Sequence, residues 1–178
     1  MEESVLTDSS GTKAARLEYD VEQIYRQTRA AICSYVLCLG VPEAQAQEVT
    51  QEVYLRLYQN MRKGEEILNM RAWLFRVAHN LSLKVRSREK AFRSVNPDWE
   101  RFTKRTVDSP ERAILDREKM QKVQTALETL SPQQKNCLFL RSEGLRYREI
   151  ADVMGVSSST VNEFLRRAIA RLAEAADG

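Results

Sequence analysis

From Asp20 to Leu39, apolar residues recur at Ile24, Ala31, Ile32, Tyr35, Val36 and Leu39, in steps of three, four and seven that place them on one helix face. Gly40 ends that period. Pro42 stands where the first turn of a new helix tolerates it, and Ala46, Val49, Val53 and Leu57 carry a second stripe to about Met61. After a polar break around Gly64, a third helix is marked by Met70, Trp73, Leu74, Val77, Ala78, Leu81 and Val85, and its stripe fades into a basic tail. From Arg86 to Pro110 the period is lost among turn formers such as Pro97, Asp98, Asp108, Ser109 and Pro110, as expected of a linker. Beyond it, Ile114, Leu115, Val123, Leu127 and Leu130 support a long helix. Ser131 and Pro132 then pair as N-cap and first turn of another that ends at Gly144. Two more helices follow, Tyr147 to Met154 and Ser158 to about Ala175, separated only by Gly155, Val156 and Ser157. With no alternating strand pattern and no internal repeat, the expected fold is all-α. Two small helical domains, 20–92 and 111–178, are joined by a flexible linker at 93–110 and preceded by a disordered tail at 1–19.

A chain of 178 residues with 43% apolar and 30% charged residues is globular and can form a small core in each half. Cys33, Cys38 and Cys137 fit neither a zinc-ligand spacing nor a disulfide framework, so all three are expected to be buried apolar fillers in a reducing compartment. No apolar run reaches about 18 residues, and Met1, Glu2 and Glu3 begin acidic where a secretory signal would begin basic. A cytoplasmic protein is expected. The net charge of +3 is unevenly spread: −4 over residues 1–60, +6 over 61–110 and +1 over 111–178. A basic segment beside an acidic one suits a polyanion on one face and a protein partner on another, although a solvated linker would read the same way.

The last two helices have the form of a helix-turn-helix. Such a unit needs a small residue where its helices cross, a glycine in the turn and inward apolar anchors. Ala151 and Gly155 take the first two places, and Ile150, Met154, Val156, Val161 and Leu165 the third. The hydroxyls of Ser157, Ser158, Ser159 and Thr160 can cap the second helix and reach phosphate oxygens. If Val161, Leu165, Ala168, Ile169 and Leu172 turn inward, the outward face carries Ser159, Asn162, Glu163, Arg166 and Arg167, side chains able to read base edges. Phe164 can reach the groove or join the core.

The chain resembles a compact bacterial sigma factor of the extracytoplasmic-function (group 4) class of the sigma-70 family, over about residues 20 to 175. The resemblance is carried by Glu48-Val49-Thr50-Gln51-Glu52-Val53-Tyr54-Leu55-Arg56-Leu57-Tyr58, by Arg71-Ala72-Trp73-Leu74-Phe75-Arg76-Val77-Ala78-His79-Asn80, and by Leu127-Glu128-Thr129-Leu130-Ser131-Pro132 leading into the helix-turn-helix. It implies a subunit that binds core RNA polymerase and directs promoter recognition, DNA melting and transcription initiation. Its partners would be the clamp helices of the largest polymerase subunit, the flap of the second largest, promoter DNA, and in some cases an anti-sigma factor on a separate chain. By that resemblance Glu48, Gln51, Glu52, Leu55 and Tyr58 form the polymerase-binding surface, an amphipathic outer face suited to a partner helix. The alternative, that Leu55 and Tyr58 pack on their own domain's first helix, stays open.

The same resemblance assigns the minus-ten promoter element to the third helix. Strand opening needs stacking surfaces, amide groups for a base edge and cations along the backbone, and Arg76, His79, Asn80, Lys84, Arg86 and Arg88 fit that need. Asn80 is the candidate for base contact, His79 a surface neighbour of the strand, and Trp73 core. Ser158, Ser159, Thr160, Asn162, Glu163, Arg166 and Arg167 are assigned to the minus-thirty-five duplex. Two departures stand out: Asn162, Glu163 and Phe164 replace the family's common Lys-Ser-Arg, and Leu83, Lys84 and Val85 occupy the place of a usual acidic residue. His79 is the only histidine, and no glycine loop or carboxylate pair suits catalysis, so no metal, cofactor or enzyme activity is expected. The competing reading is a repressor or activator that uses the helix-turn-helix on a palindromic operator without polymerase.

Overall fold

The computed structural model describes the backbone of residues 6–95 and 114–177 and the side chains of 13–91 and 121–176. Those residues form seven helices and no strand: α1 (Leu6–Cys38), α2 (Glu43–Arg62), α3 (Met70–Val95), α4 (Ile114–Thr129), α5 (Pro132–Ser142), α6 (Tyr147–Met154) and α7 (Ser158–Asp177). α1 starts at Leu6, so helix occupies most of the stretch expected to be a disordered tail. The reason is local. Lys13, Ala14, Ala15 and Arg16 are exposed but strong helix formers, and lengthening an existing helix avoids the nucleation cost. α3 likewise continues to Val95, past the point where its apolar stripe fades. Most of the expected 93–110 linker lies outside the described residues.

Helix ends follow the punctuation in the sequence. Gly40 adopts φ +80° after α1, its N–H donates to Leu37 O at 2.8 Å, and the Val41 N–H donates to Val36 O at 3.3 Å. This left-handed cap turns the chain and drops Val41 into the core. Pro42 is the N-cap of α2 rather than part of its first turn, and its carbonyl accepts from the N–H groups of Gln45 and Ala46, both at 2.9 Å. At α5 the Ser131 hydroxyl accepts from Gln134 N–H at 3.2 Å, while the Gln134 side chain accepts from Ser131 N–H at 2.9 Å. Two donors that the helix would leave orphaned are thereby satisfied reciprocally. The C-terminal half of the chain is also tied end to end, because the Arg171 guanidinium on α7 donates to Thr129 O at the end of α4 at 3.1 Å.

α1, α2 and α3 bury Ile32, Tyr35, Val36, Leu39, Val49, Val53, Leu57, Leu74 and Ala78, all on the inward stripes read from the sequence, together with Phe75, which those stripes did not include. α5, α6 and α7 bury Cys137, Leu140, Ile150, Ala151, Val153, Val161 and Leu165. These are not two separate cores. They form one continuous cluster, joined where the Phe139 ring of α5 lies 5.4 Å from Tyr35 and 6.4 Å from Phe75. Arg71 pairs with Glu143, and Asn69 Nδ2 donates to Glu149 Oε1 at 2.7 Å, so polar contacts rim this seam.

Three of the expected placements change. His79 is only 7% exposed, where a surface position was expected. Its position is inward because it falls one turn after Phe75 on the core stripe, and its Nδ1 shares a 2.9 Å hydrogen bond with the Tyr35 hydroxyl. Cys137 is fully buried, its thiol donates to Met154 Sδ at 3.4 Å, and burial pushes its pKa up to about 11. Cys33 and Cys38, however, are only partly buried, since both lie beside the apolar stripe of α1 and not on it. Cys38 reaches across the seam, where its thiol donates to Asn136 Oδ1 at 3.7 Å.

Two predictions follow from these contacts. Ser131→Ala removes the α5 cap and should lower stability by about 1 kcal/mol in a urea denaturation series, with an unchanged midpoint counting against the cap. Burial, with the Arg86 charge adding to it, holds the His79 pKa below its ordinary 6.5. Below pH 6.5 the unfolded chain takes up a proton that the folded chain resists, so stability is full above that pH and falls as pH drops towards the folded value. Melting temperatures at about pH 7.5 and about pH 5.5 should differ more for the wild type than for His79→Gln. Equal acid sensitivity in the two proteins would refute the assignment.

Candidate nucleic-acid and polymerase interface

α6 and α7 meet at a tight corner. Gly155 caps α6 with φ +68°, a conformation that a side chain would strain, and the Val156 N–H donates back to Ala151 O at 3.1 Å. The Ser157 hydroxyl then caps α7 by accepting from Thr160 N–H at 3.1 Å, and lies 2.8 Å from the hydroxyls of both Ser159 and Thr160. A helix N-terminus dressed with hydroxyls and free N–H groups is chemically suited to a phosphate. Val161, Leu165 and Ala168 point inward. Ser158, Ser159, Asn162, Arg166 and Arg167 are exposed, whereas Thr160 and Glu163 are half-buried.

Glu163 does not stand alone as a base reader. Its Oε1 accepts from Arg166 Nη2 at 3.0 Å and from Arg167 Nε at 2.5 Å. Those two guanidinium groups, Arg166 first, hold its carboxyl below the usual range, and Glu163 raises Arg166 in turn. The expected inward position of Ile169 is not observed, since it is 54% exposed; it follows Ala168 around the helix and passes beyond the edge of the buried stripe. Phe164 is partly buried and packs against the core.

On α2, Glu48, Gln51 and Leu55 are exposed and Glu52 and Tyr58 half-buried, so all five share one outer face. Leu55 is 50% exposed and is not among the apolar side chains packed against the buried cluster. That inner role belongs to Tyr54, which the sequence reading did not single out. Its hydroxyl hydrogen-bonds Thr28 at 2.8 Å, and its ring meets Tyr25 edge-on at 4.8 Å between centroids. The signal was present, because Tyr54 lies four residues after the buried Thr50.

Along α3, Arg76, Asn80, Lys84, Arg86 and Arg88 are exposed, whereas His79, expected among them, is buried. At the start of α3 lies a cleft of about 470 Å³, walled by Glu66, Ile67, Leu68, Asn69, Ala72, Trp73 and Arg76 on one side and by Arg148, Glu149, Asp152 and Val153 of α6 on the other. Trp73 is half-buried there, packed against the core on one side. Leu68, 93% exposed, and Asn69, whose side-chain oxygen accepts from Ala72 N–H at 3.0 Å, were both missed by the sequence reading. Asn69 was findable as an N-cap type just before an apolar period.

Comparison with known proteins agrees with this geometry. Residues 24–92 match the family model Sigma-70 region 2, and residues 120–172 match Sigma-70, region 4. The chain is 31% identical over 168 residues to the ECF RNA polymerase sigma factor SigL of Mycobacterium tuberculosis, covering 92% of each chain. It is 27% identical over 150 residues to the RNA polymerase sigma factor YlaC of Bacillus subtilis, covering 83% of this chain and 87% of that one. Its fold is that of the sigma factor RpoE solved with the anti-sigma factor NepR from Bartonella quintana, with TM-score 0.64 and 21% identity over 88% of this chain and 96% of that one. CnrH, solved with the cytosolic domain of CnrY, superposes with TM-score 0.59 at 21% identity over 92% of this chain and 94% of that one. The two curated relatives are named RNA polymerase sigma factors, which supports the polymerase-dependent reading over an operator-binding regulator. Two sigma regions in order, on the helices that carry the exposed faces described above, place the chain in the sigma-70 family, as an extracytoplasmic-function RNA polymerase sigma factor that directs promoter recognition and transcription initiation.

Proposed function

We propose a division of labour among three exposed surfaces. The outer face of α2, with Glu48, Gln51, Glu52, Leu55 and Tyr58, takes the clamp helices of the polymerase's largest subunit. Arg76, Asn80, Lys84, Arg86 and Arg88 on α3 hold the opened minus-ten strand, with Asn80 meeting a base. The N-terminal half of α7, through Ser158, Ser159, Thr160, Asn162, Arg166 and Arg167, reads the minus-thirty-five duplex, while Glu163 orients the two arginines. The flap of the second-largest subunit would meet the second domain. Such a subunit acts in the cytoplasm, has no catalytic centre of its own and needs no metal or cofactor; among the described residues no helix is long and apolar enough to cross a membrane.

The observation that carries this reading is the exposure of Leu55. Leu55, half open to water, and the half-buried Tyr58 stand on that face among Glu48, Gln51 and Glu52, an apolar pair in a polar setting suited to a partner helix. A separate anti-sigma chain is the further partner we infer, because RpoE was solved with the anti-sigma factor NepR and CnrH with the cytosolic domain of another protein, CnrY.

Run-off transcription with purified core enzyme across a pool of genomic fragments tests the function as a whole, and the absence of any promoter-dependent product would refute it. Leu55→Asp should weaken core binding by about tenfold or more while leaving the helical melt unchanged, because the side chain contributes little to the core. Asn80→Ala should impair strand opening, read by permanganate reactivity, yet spare core binding. Arg166→Ala should weaken duplex binding by about a decade and leave opening on pre-melted templates intact. If these last two variants behave alike in both assays, the division of labour is wrong.

A further inference from the structure

The outward face of α7 carries a clasp that decides which of its side chains is free for a base. Glu163 Oε2 accepts from Arg166 Nε at 3.2 Å and from Arg166 Nη2 at 3.1 Å, while Oε1 accepts from the same Nη2 at 3.0 Å and from Arg167 Nε at 2.5 Å. A carboxylate offers about four acceptor positions, and these contacts fill them. Glu163 therefore has nothing left for the amino group of a cytosine. Arg166 meets Glu163 along one edge, Nε with Nη2, and among the described residues no contact engages its Nη1. The end formed by Nη1 and Nη2 stays open, and the O6 and N7 acceptors of guanine fit such an end.

Placement separates the two arginines. Ser159, Glu163, Arg166 and Ala170 follow one another in steps of four, three and four, on the side of α7 opposite the buried Val161, Leu165 and Ala168, and Arg167 lies to one flank of that line. Glu163 precedes both arginines by about one turn, so the clasp draws their guanidinium groups towards the N-terminus of α7, the end proposed to enter the groove. Both arginine side chains remain largely exposed, at 66% and 64%, and exposed ion pairs contribute little to folding. What this pairing alters is where the two charges are held.

We propose that Glu163 is a positioning residue for base recognition: it holds the open end of Arg166 against a guanine of the minus-thirty-five duplex, leaves Arg167 to a phosphate on the flank, and touches no base itself. This assignment rests on the reading of α7 as the duplex-binding helix and names the base that it reads. A carboxylate beside a polyanion lowers affinity for every sequence, because it opposes the phosphates. Its benefit is selectivity. An unrestrained arginine can swing to the nearest phosphate on any sequence, whereas a held one is satisfied only by acceptors in one place.

The test uses the full chain bound to core polymerase, on templates whose minus-ten region is already unpaired and whose upstream duplex is randomised, with the retained DNA sequenced. Wild type should enrich guanine at an upstream position by about tenfold or more, and 7-deazaguanine placed there, which lacks the N7 acceptor, should weaken binding. Arg166→Ala should lose that preference, and so should Arg166→Lys, which keeps the charge but not the planar fork. Glu163→Gln should lower the preference by about threefold or more while binding mismatched duplex more tightly, and Arg167→Ala should weaken all sequences alike. The proposal is overturned if Glu163→Gln keeps the guanine preference, if it binds matched and mismatched duplex equally worse, as loss of a merely structural contact would, or if the preference follows Arg167 or Asn162 instead of Arg166. In each of those cases α7 remains the reader. Without any guanine preference in the wild type the proposal also falls, and if the α7 variants then bind like wild type, the reading of α7 falls with it.

Discussion

Tyr35 has no exposed surface, yet it carries a hydroxyl, and a buried hydroxyl without a partner is costly. The fold answers by bringing His79 of α3 to it, and the two groups then fix how α1 and α3 cross. The same ring meets Phe75 edge-on with centroids 5.3 Å apart and Phe139 of α5 at 5.4 Å. One side chain thus fixes α1 against α3 and supplies the surface on which Phe139 of α5 packs. Because burial keeps both the phenol and the imidazole uncharged near neutral pH, this junction stays a neutral hydrogen bond inside an apolar cluster.

From this interior the functional surfaces follow by exclusion. α2, α3 and α7 each spend one face on the core, and the residues proposed to meet polymerase, strand and duplex occupy what remains. The inner positions are held rigid by packing, so the outer positions are held rigid with them. Glu163 extends that order outward by gripping two arginines that would otherwise sample many rotamers. The separate sigma regions seen in the family comparisons are, in this chain, also parts of one packed body.

Much of this was legible in the sequence. Helix periods, the Ser131–Pro132 start and the corner at Gly155 were read correctly, because each depends on residues within one or two turns of one another. Where the local signal was weak, the reading slipped: residues 6–19 carry no apolar stripe yet continue α1, and Ile169 looks apolar but lies past the stripe's edge.

What the sequence by itself determined is the set of helices, their caps and the faces that each would bury, since periodicity and capping are short-range properties of the chain. What only the tertiary structure decided is which faces meet. His79 proved to be a buried partner of Tyr35, 44 positions away, and Arg71 and Asn69 proved to reach Glu143 and Glu149 across the seam. Contacts between residues so far apart depend on how whole helices pack in three dimensions, and no pattern along the chain encodes that closure.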